Sequence, residues 1–332
     1  MPKALITTVP FADKNRQPLD LLEQVGIDYV INPLGRKLNA DELAEMVSGF
    51  DVLIAGTEPI TEKVMANADR LKLISRVGIG LDNVDLLAAE RRGIQVSYTP
   101  DAPAAAVSEL TIGLMLTLLR SIHLSNTRMH EGGWYRFFGR RLSEVTIGII
   151  GAGRIGGGVI RGLAGFGVRH ILLNDVRGHP LARSLEEASG VTIDLVDREV
   201  IYQRADIISL HIPLTAHTRN MIRKAQLLKM KPDALLLNCA RGGLINEHDL
   251  VEVMETGHLS GVAIDVFERE PYFGPLAQIE RCVLTAHMGS MSIDCRMRME
   301  IEATEEAVRC LTGQALQALV PSQEYDVQRE GL

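Results

Sequence analysis

The sequence predicts an α/β protein built from two parallel-sheet domains, and three observations carry that expectation. Short apolar runs alternate with amphipathic stretches along nearly the whole chain, the rhythm of strands joined by crossover helices. That rhythm breaks at "YTPDAP", where two prolines and an aspartate stop a strand and set up a helix start. At 332 residues with 46% hydrophobic content, the chain is long enough and apolar enough to fill two cores.

The elements follow in order. In the first hundred residues "ALITTV", "IDYVI", "DVLIA", "LKLIS" and "IQVS" predict five strands, with helices such as "ADELAEMVSG" between them. After the break, "AAAVSELTIGLMLTLLRSI" predicts a helix over about 104–122, apolar nearly all round and so expected to bury itself against another domain or subunit. Its Glu109, set among apolar neighbours, is expected to be buried and hydrogen-bonded. The glycine-rich, basic and aromatic "HEGGWYRFFGRRLSE" is expected to be a surface connection. Then "VTIGII", "HILLN", "VTIDL", "ADIISL", "DALLLN", "GVAID" and "CVLTA" predict the strands of a second sheet. After Ser292 one long amphipathic helix is expected, followed by a loosely held polar tail, "SQEYDVQREGL".

Composition excludes several classes of function. With 35 basic and 42 acidic residues the net charge is -7, and aromatics make up 4%, a poor balance for gripping phosphates or stacking bases. No nucleic-acid partner is expected. Apolar runs fall short of a membrane span, and the N-terminus lacks a basic region followed by a long apolar core, so no membrane association is expected. Cys239, Cys282, Cys295 and Cys310 show no paired spacing, which suits a reducing cytoplasm. The nine histidines show no HExxH or similar pattern, and no metal site is expected.

The run "VTIGII" leads directly into Gly151, Ala152, Gly153, Arg154, Ile155 and Gly156, which places a GxGxxG pattern at a strand-to-helix turn. There Gly151 permits the tight turn, Gly153 lets backbone approach a pyrophosphate, and Gly156 lets helix pack on strand. Asp175 ends the next strand, nineteen residues after Gly156, close to the spacing at which an acid receives the ribose hydroxyls of a dinucleotide. A Rossmann domain binding NAD is therefore expected. A carboxylate there repels a 2′-phosphate, so NAD is favoured over NADP, and nearby Arg177 is expected to be a solvated loop charge.

Arg241, Glu270 and His287 each follow one of the last three strand runs, at the end of the sheet where ligands gather in open α/β folds. Arg241 stands after "LLLN" with only small neighbours, suited to grip a planar carboxylate through its two-pronged guanidinium. A histidine is a natural proton donor to a ketone near neutral pH, and a carboxylate on its other nitrogen fixes the tautomer. Taken singly, each could be a packed or solvated residue; all three at consecutive strand ends point to a catalytic constellation.

The segments "RVGIGLDNVDLLAAERRGI", "AAAVSELTIGLMLTLLR", "VTIGIIGAGRIG", "HIPLTAHTRNMI", "NCARGGLINEHDL", "GVAIDVFEREP" and "TAHMGS" resemble the NAD-dependent D-isomer-specific 2-hydroxyacid dehydrogenases, most closely the 3-phosphoglycerate dehydrogenase branch. The resemblance implies a discontinuous, flavodoxin-like substrate domain over 1–100 and 293–332 around a central Rossmann domain over 101–292. It implies a homodimer formed through the cofactor domain. It implies hydride transfer between nicotinamide and C2 of a small D-2-hydroxy acid/2-keto acid pair. Arg241 would orient the substrate, and His287 with Glu270 would move the proton. Arg154 and Ile155 would meet the pyrophosphate, Ile212, Cys239, Ala240 and His287 would line the dinucleotide, and Asp265 would hold the carboxamide. Gly78 and Ile79 would offer backbone amides to the substrate carboxylate. A phosphate on the substrate, as in 3-phosphoglycerate, could be received by Arg76 or by Arg136, Arg140 or Arg141; glyoxylate or hydroxypyruvate reduction is the alternative. An NADH-sensing, corepressor-like binding protein is a further alternative from the same scaffold. Two departures stand out: Ala286 replaces the usual proline before the histidine, and a chain ending at 332 is expected to lack C-terminal regulatory domains.

Overall fold

Strands rich in Val, Ile and Leu with no alternation of polarity bury both faces, and a parallel sheet flanked by helices is the arrangement that allows it. In the computed structural model, which describes residues 1–331, twelve strands form two parallel sheets, the central ones of this kind. The chain divides into two compact units, Met1–Pro103 with Ser290–Leu332, and Ala104–Gly289.

The first unit holds β1 (Lys3–Ile6), β2 (Asp28–Ile31), β3 (Val52–Ala55), β4 (Leu73–Arg76) and β5 (Gln95–Tyr98), in the order β2-β1-β3-β4-β5. β3 and β4 are buried throughout, whereas edge strand β2 is mostly exposed. The helices start where side chains can take up orphan amides. Asn39 and Glu42 form a reciprocal cap on Ala40–Met46, Thr61 caps Glu62–Ala66, and Asp85 caps Leu86–Arg91.

The second unit holds β6 (Ile147–Ile150), β7 (His170–Asn174), β8 (Thr192–Leu195), β9 (Ile207–Leu210), β10 (Leu235–Asn238), β11 (Gly261–Ile264) and β12 (Cys282–Leu284). Their order, β12-β11-β10-β9-β6-β7-β8, means the chain winds outward from β6 to β8, then returns beside β6 and winds the other way. The switch falls between β6 and β9, and the carboxyl ends there form the crevice in which open α/β sheets bind ligands. The expected α/β class, with a doubly wound cofactor-type sheet and a flavodoxin-like strand order, is the one observed.

Three local expectations need correction. The apolar helix ends at Leu119, and after Ser121, which adopts a left-handed φ of 49°, a separate helix runs from Ile122 to His130, bent 65° from the first. No single helix among the described residues is long and apolar enough to cross a membrane. Glu109 is exposed, because Ala105, Glu109 and Gly113 recur every fourth residue along the stripe facing away from the unit's core. The polar tail is no loose end: Ser322–Arg329 is a helix in which Gln328 donates to Val84 O and accepts from the Leu86 amide, while Arg329 meets Glu90 at 2.8 Å.

Candidate active site

The glycine turn sits at the carboxyl end of β6, at the switch point. Gly151 has a φ of +88°, and a β-carbon there would stand 2.5 Å from His211 O. A β-carbon on Gly156 would stand 2.1 Å from Gly151 O, so glycine is required for the helix Arg154–Ala164 to approach its strand. Gly153 caps that helix without a side-chain bond, and nothing lies within 4 Å of where its β-carbon would be. The start of this eleven-residue helix thus has open space over Gly153 and no side-chain cap, and a pyrophosphate fits such a cradle. Ser108 fastens the helix from outside the motif, donating to Ile155 O at 2.9 Å. Arg154 is exposed at the helix start, whereas the Ile155 side chain packs into the core.

Asp175 lies against this turn, its Oδ2 accepting from the Ala152 amide at 2.7 Å. Burial opposes its ionisation, but Arg177 and the Ala152 and Arg177 amides outweigh that and hold it at about 2. Arg177, although half in water, is therefore also the partner of Asp175, at 2.9 Å. Cys239 and Ala240, after β10, are buried, and Ile212, after β9, is half-buried. Burial pushes the Cys239 thiol up to about 12, so this cysteine is a packing group and not a nucleophile.

His211, which sequence reasoning passed over, closes the crevice beside Gly151. Its Nε2 pairs with Ser209 Oγ at 2.9 Å, while Nδ1 is sealed from water with no partner among the described residues. Burial pushes this imidazole down from 6.5 to about 4. Between those values the unfolded chain holds a proton that the folded chain refuses, so stability is lost as pH falls from about 6.5 toward 4, by at most about 3 kcal/mol. Denaturant unfolding at pH 7 and pH 4.5 should show a shallower acid loss for His211→Asn than for the wild type; an unchanged loss would assign it to other groups.

The catalytic candidates occupy the carboxyl ends of three neighbouring strands, β10, β11 and β12. His287 Nδ1 stands 2.9 Å from Glu270 Oε2 and 3.1 Å from Oε1, and Glu270 Oε1 also accepts from the Phe267 amide. The imidazole is 38% exposed, which leaves Nε2 able to meet a ligand while Nδ1 faces the carboxylate. His287 itself adopts a left-handed φ of 49°.

Asp265 supplies what holds that backbone. Its Oδ1 accepts from Thr285 Oγ1 and the Met288 amide, its Oδ2 from the Gly289 amide, and its carbonyl from the His287 amide. The side chain expected to hold a carboxamide is thus 1% exposed and engaged in clamping the histidine loop. The clamp also answers the departure at Ala286: the loop is fixed by four bonds to one residue, so a proline is not needed to stiffen it.

Asn238 does the same for Arg241. Its side chain donates to Arg241 O at 2.8 Å and accepts from the Ala240 amide at 3.1 Å, while Arg241 Nη1 donates to Ala240 O at 2.6 Å. An asparagine ending a strand before a glycine turn was the available signal. Gly242 has no room for a side chain, since its β-carbon would lie 2.0 Å from Phe267 O.

The remaining expectations fare differently. Arg76 is 6% exposed, bonded to Val77 O and, through Nε, to Asn83, whose amide holds Gly56 O and Glu58 O. It braces loops at the strand ends of the first unit and is buried away from a phosphate arriving from water. The Gly78 amide is spent on Thr99 Oγ1 at 2.8 Å, which leaves Ile79 as the amide of that pair with a case for substrate. Arg140 pairs with Asp206 and Arg141 with Glu144. Against the expected lack of metal-ligand groupings, His248, Asp249 and Glu252 gather on one helix, although Lys224 already holds Glu252 at 2.7 Å.

Comparison with known proteins gives the arrangement its relatives. Residues 112–289 match the family described as D-isomer specific 2-hydroxyacid dehydrogenase, NAD binding domain. A D-3-phosphoglycerate dehydrogenase of Methanocaldococcus jannaschii is 36% identical over 91% of this chain, which spans 57% of that relative's length. A hydroxypyruvate reductase of Thermotoga maritima is 34% identical over 81% of this chain and 87% of its own. The crystal structure of a glyoxylate reductase from Paecilomyes thermophila superposes with a TM-score of 0.82 at 28% identity, covering 97% of this chain and 99% of the other.

Proposed function

The chain belongs to the D-isomer specific 2-hydroxyacid dehydrogenase family, and on that premise we propose that it interconverts a small D-2-hydroxy acid and its 2-keto acid with NAD(H). The observation that carries this reading is the His287–Glu270 pair, at 2.9 Å, at the same end of the same sheet as Arg241 and the glycine turn. The bound nicotinamide supplies the hydride donor or acceptor. Glu270 keeps the Nδ1 proton on His287, so Nε2 delivers a proton to the carbonyl oxygen during reduction and takes it back during oxidation. Arg241 binds the substrate carboxylate and fixes the angle of the carbonyl. The Gly153 cradle and Asp175 hold the dinucleotide at its pyrophosphate and ribose.

For the substrate, the names of the relatives offer both phosphorylated and unphosphorylated acids. With Arg76 buried and Arg140 and Arg141 paired to acids, exposed Arg136 alone of the four expected phosphate partners keeps that role open, and the unphosphorylated acids, glyoxylate and hydroxypyruvate, have the stronger case. The test is purified protein with NADH and a panel of glyoxylate, hydroxypyruvate, pyruvate and 3-phosphohydroxypyruvate, followed at the nicotinamide absorbance. Oxidation is expected with the first two at a higher kcat/KM than with the phosphorylated member. NADH that binds but is consumed with no member would overturn the enzyme reading in favour of a dinucleotide-sensing protein.

We further assign a homodimer through the cofactor unit. In a single copy Ile122, Met129, Trp134, Tyr135 and Phe138 stand in water along 122–138, next in sequence to the helix with the Ala105, Glu109 and Gly113 stripe. Light scattering should give twice the chain mass, falling to one with Trp134→Glu and Phe138→Glu together. A reducing, cytoplasmic setting fits four cysteines that are all free.

A further inference from the structure

The carboxylate that should read the ribose is already full. Asp175 Oδ1 accepts from the Arg177 amide at 2.9 Å and from Arg177 Nε at 3.0 Å. Its Oδ2 accepts from the Ala152 amide at 2.7 Å and from Arg177 Nη2 at 2.9 Å. A carboxylate offers about four lone-pair positions, and all four are taken by the protein. Two of the donors are the paired N–H groups of one guanidinium, presented side by side as a ribose diol presents its two O–H groups. The other two are backbone amides that stay in place. The two partners also differ in freedom: the Arg177 side chain is 52% exposed and that of Asp175 only 6%. The arginine can therefore swing into water, while the acid cannot leave the turn.

We propose that Arg177 is an internal competitor for the ribose site and the residue that sets cofactor choice. A ribose diol gains Asp175 only as the guanidinium lets go, so Arg177 weakens NADH. A 2′-phosphate, which a bare carboxylate would repel, meets instead a carboxylate with a cation beside it, and that cation is a partner for the phosphate. Arg177 thus narrows the margin between the two cofactors, and the chain takes NADPH as well as NADH. This inference rests on Asp175 being the ribose acceptor.

The test is binding, read by nicotinamide fluorescence on the full chain with NADH and NADPH separately, for the wild type, Arg177→Ala, Arg177→Lys and Asp175→Ala. Removing the guanidinium should tighten NADH by about 3- to 10-fold and weaken NADPH by about 10-fold or more. Arg177→Lys keeps the charge without the fork, and should keep NADPH within about threefold of the wild type while still tightening NADH. Should the alanine variant melt early, the lysine variant alone carries the comparison. Loss of NADH affinity in Arg177→Ala, or equal changes for both cofactors, would overturn the proposal. Asp175→Ala separates this failure from that of the ribose reading: NADH binding unchanged by that substitution sinks the ribose reading itself. NADH binding weakened by it, with no divergence of the cofactors in Arg177→Ala, sinks only the role of Arg177.

Discussion

Replacing His287 by alanine is expected to lower kcat by about 10²- to 10⁴-fold while leaving NADH affinity within about threefold of the wild type. The split follows from where the side chain sits. Nδ1 is committed to Glu270 at 2.9 Å, so Nε2 is the nitrogen that can meet the carbonyl oxygen, and its loss removes the proton donor. The glycine turn proposed to grip the dinucleotide lies at β6, four strands away from β12, and holds its shape through Gly151, Gly156 and Ser108 without help from the histidine. Glu270→Gln should cost less, about 10- to 100-fold in kcat, because an amide oxygen still accepts the Nδ1 proton but no longer balances an imidazolium. Stopped-flow hydride transfer with saturating NADH and hydroxypyruvate checks both. Simultaneous loss of turnover and NADH binding in His287→Ala would show that the residue supports the fold, and the catalytic assignment would fail.

Legibility in the sequence followed the range of the forces involved. The central strands were readable because burial on both faces demands an unbroken apolar run, as in "LLLN" or "GVAI", and a run is a local signal. The glycine turn was readable because Gly151 and Gly156 answer to backbone clashes with fixed partners, and the spacing to Asp175 follows from the length of one helix and one strand. The supports of the site were not readable. Asp265 looks like any acid after a strand, and only the folded loop shows its carboxylate holding Thr285, Met288 and Gly289, twenty or more residues on. Arg76 could not be told from an exposed arginine, since its burial depends on Asn83 and on loops from other strands. Glu109 was misjudged because an apolar helix does not declare which stripe its own unit covers. The tail was misjudged because the helix Ser322–Arg329 is fastened by polar bonds to 84–90, with little apolar periodicity to reveal it.

Arg241→Lys is expected to lower kcat/KM by about 10²- to 10³-fold, although the charge is kept, with Arg241→Ala lower still. The turn bearing Arg241 is pinned on both sides. Asn238 holds its carbonyl, and Gly242 lies so close to Phe267 O that the chain cannot shift toward it. A lysine would extend from the same fixed point, but an ammonium is a single charge without a plane, and it cannot take both carboxylate oxygens while setting the carbonyl against the nicotinamide. Because the error is in angle and not in attraction, kcat should fall more than KM rises. NADH affinity should be unchanged. Asn238→Ala separates position from chemistry: it leaves the guanidinium intact but frees its turn, and should cost about 10-fold in kcat/KM together with about 1–3 kcal/mol of stability from the unsatisfied Arg241 carbonyl and Ala240 amide. Steady-state kinetics on the keto-acid panel decides the matter. A lysine variant that keeps more than about a tenth of the wild-type kcat/KM would show that charge alone suffices, and the two-pronged grip would have to be abandoned.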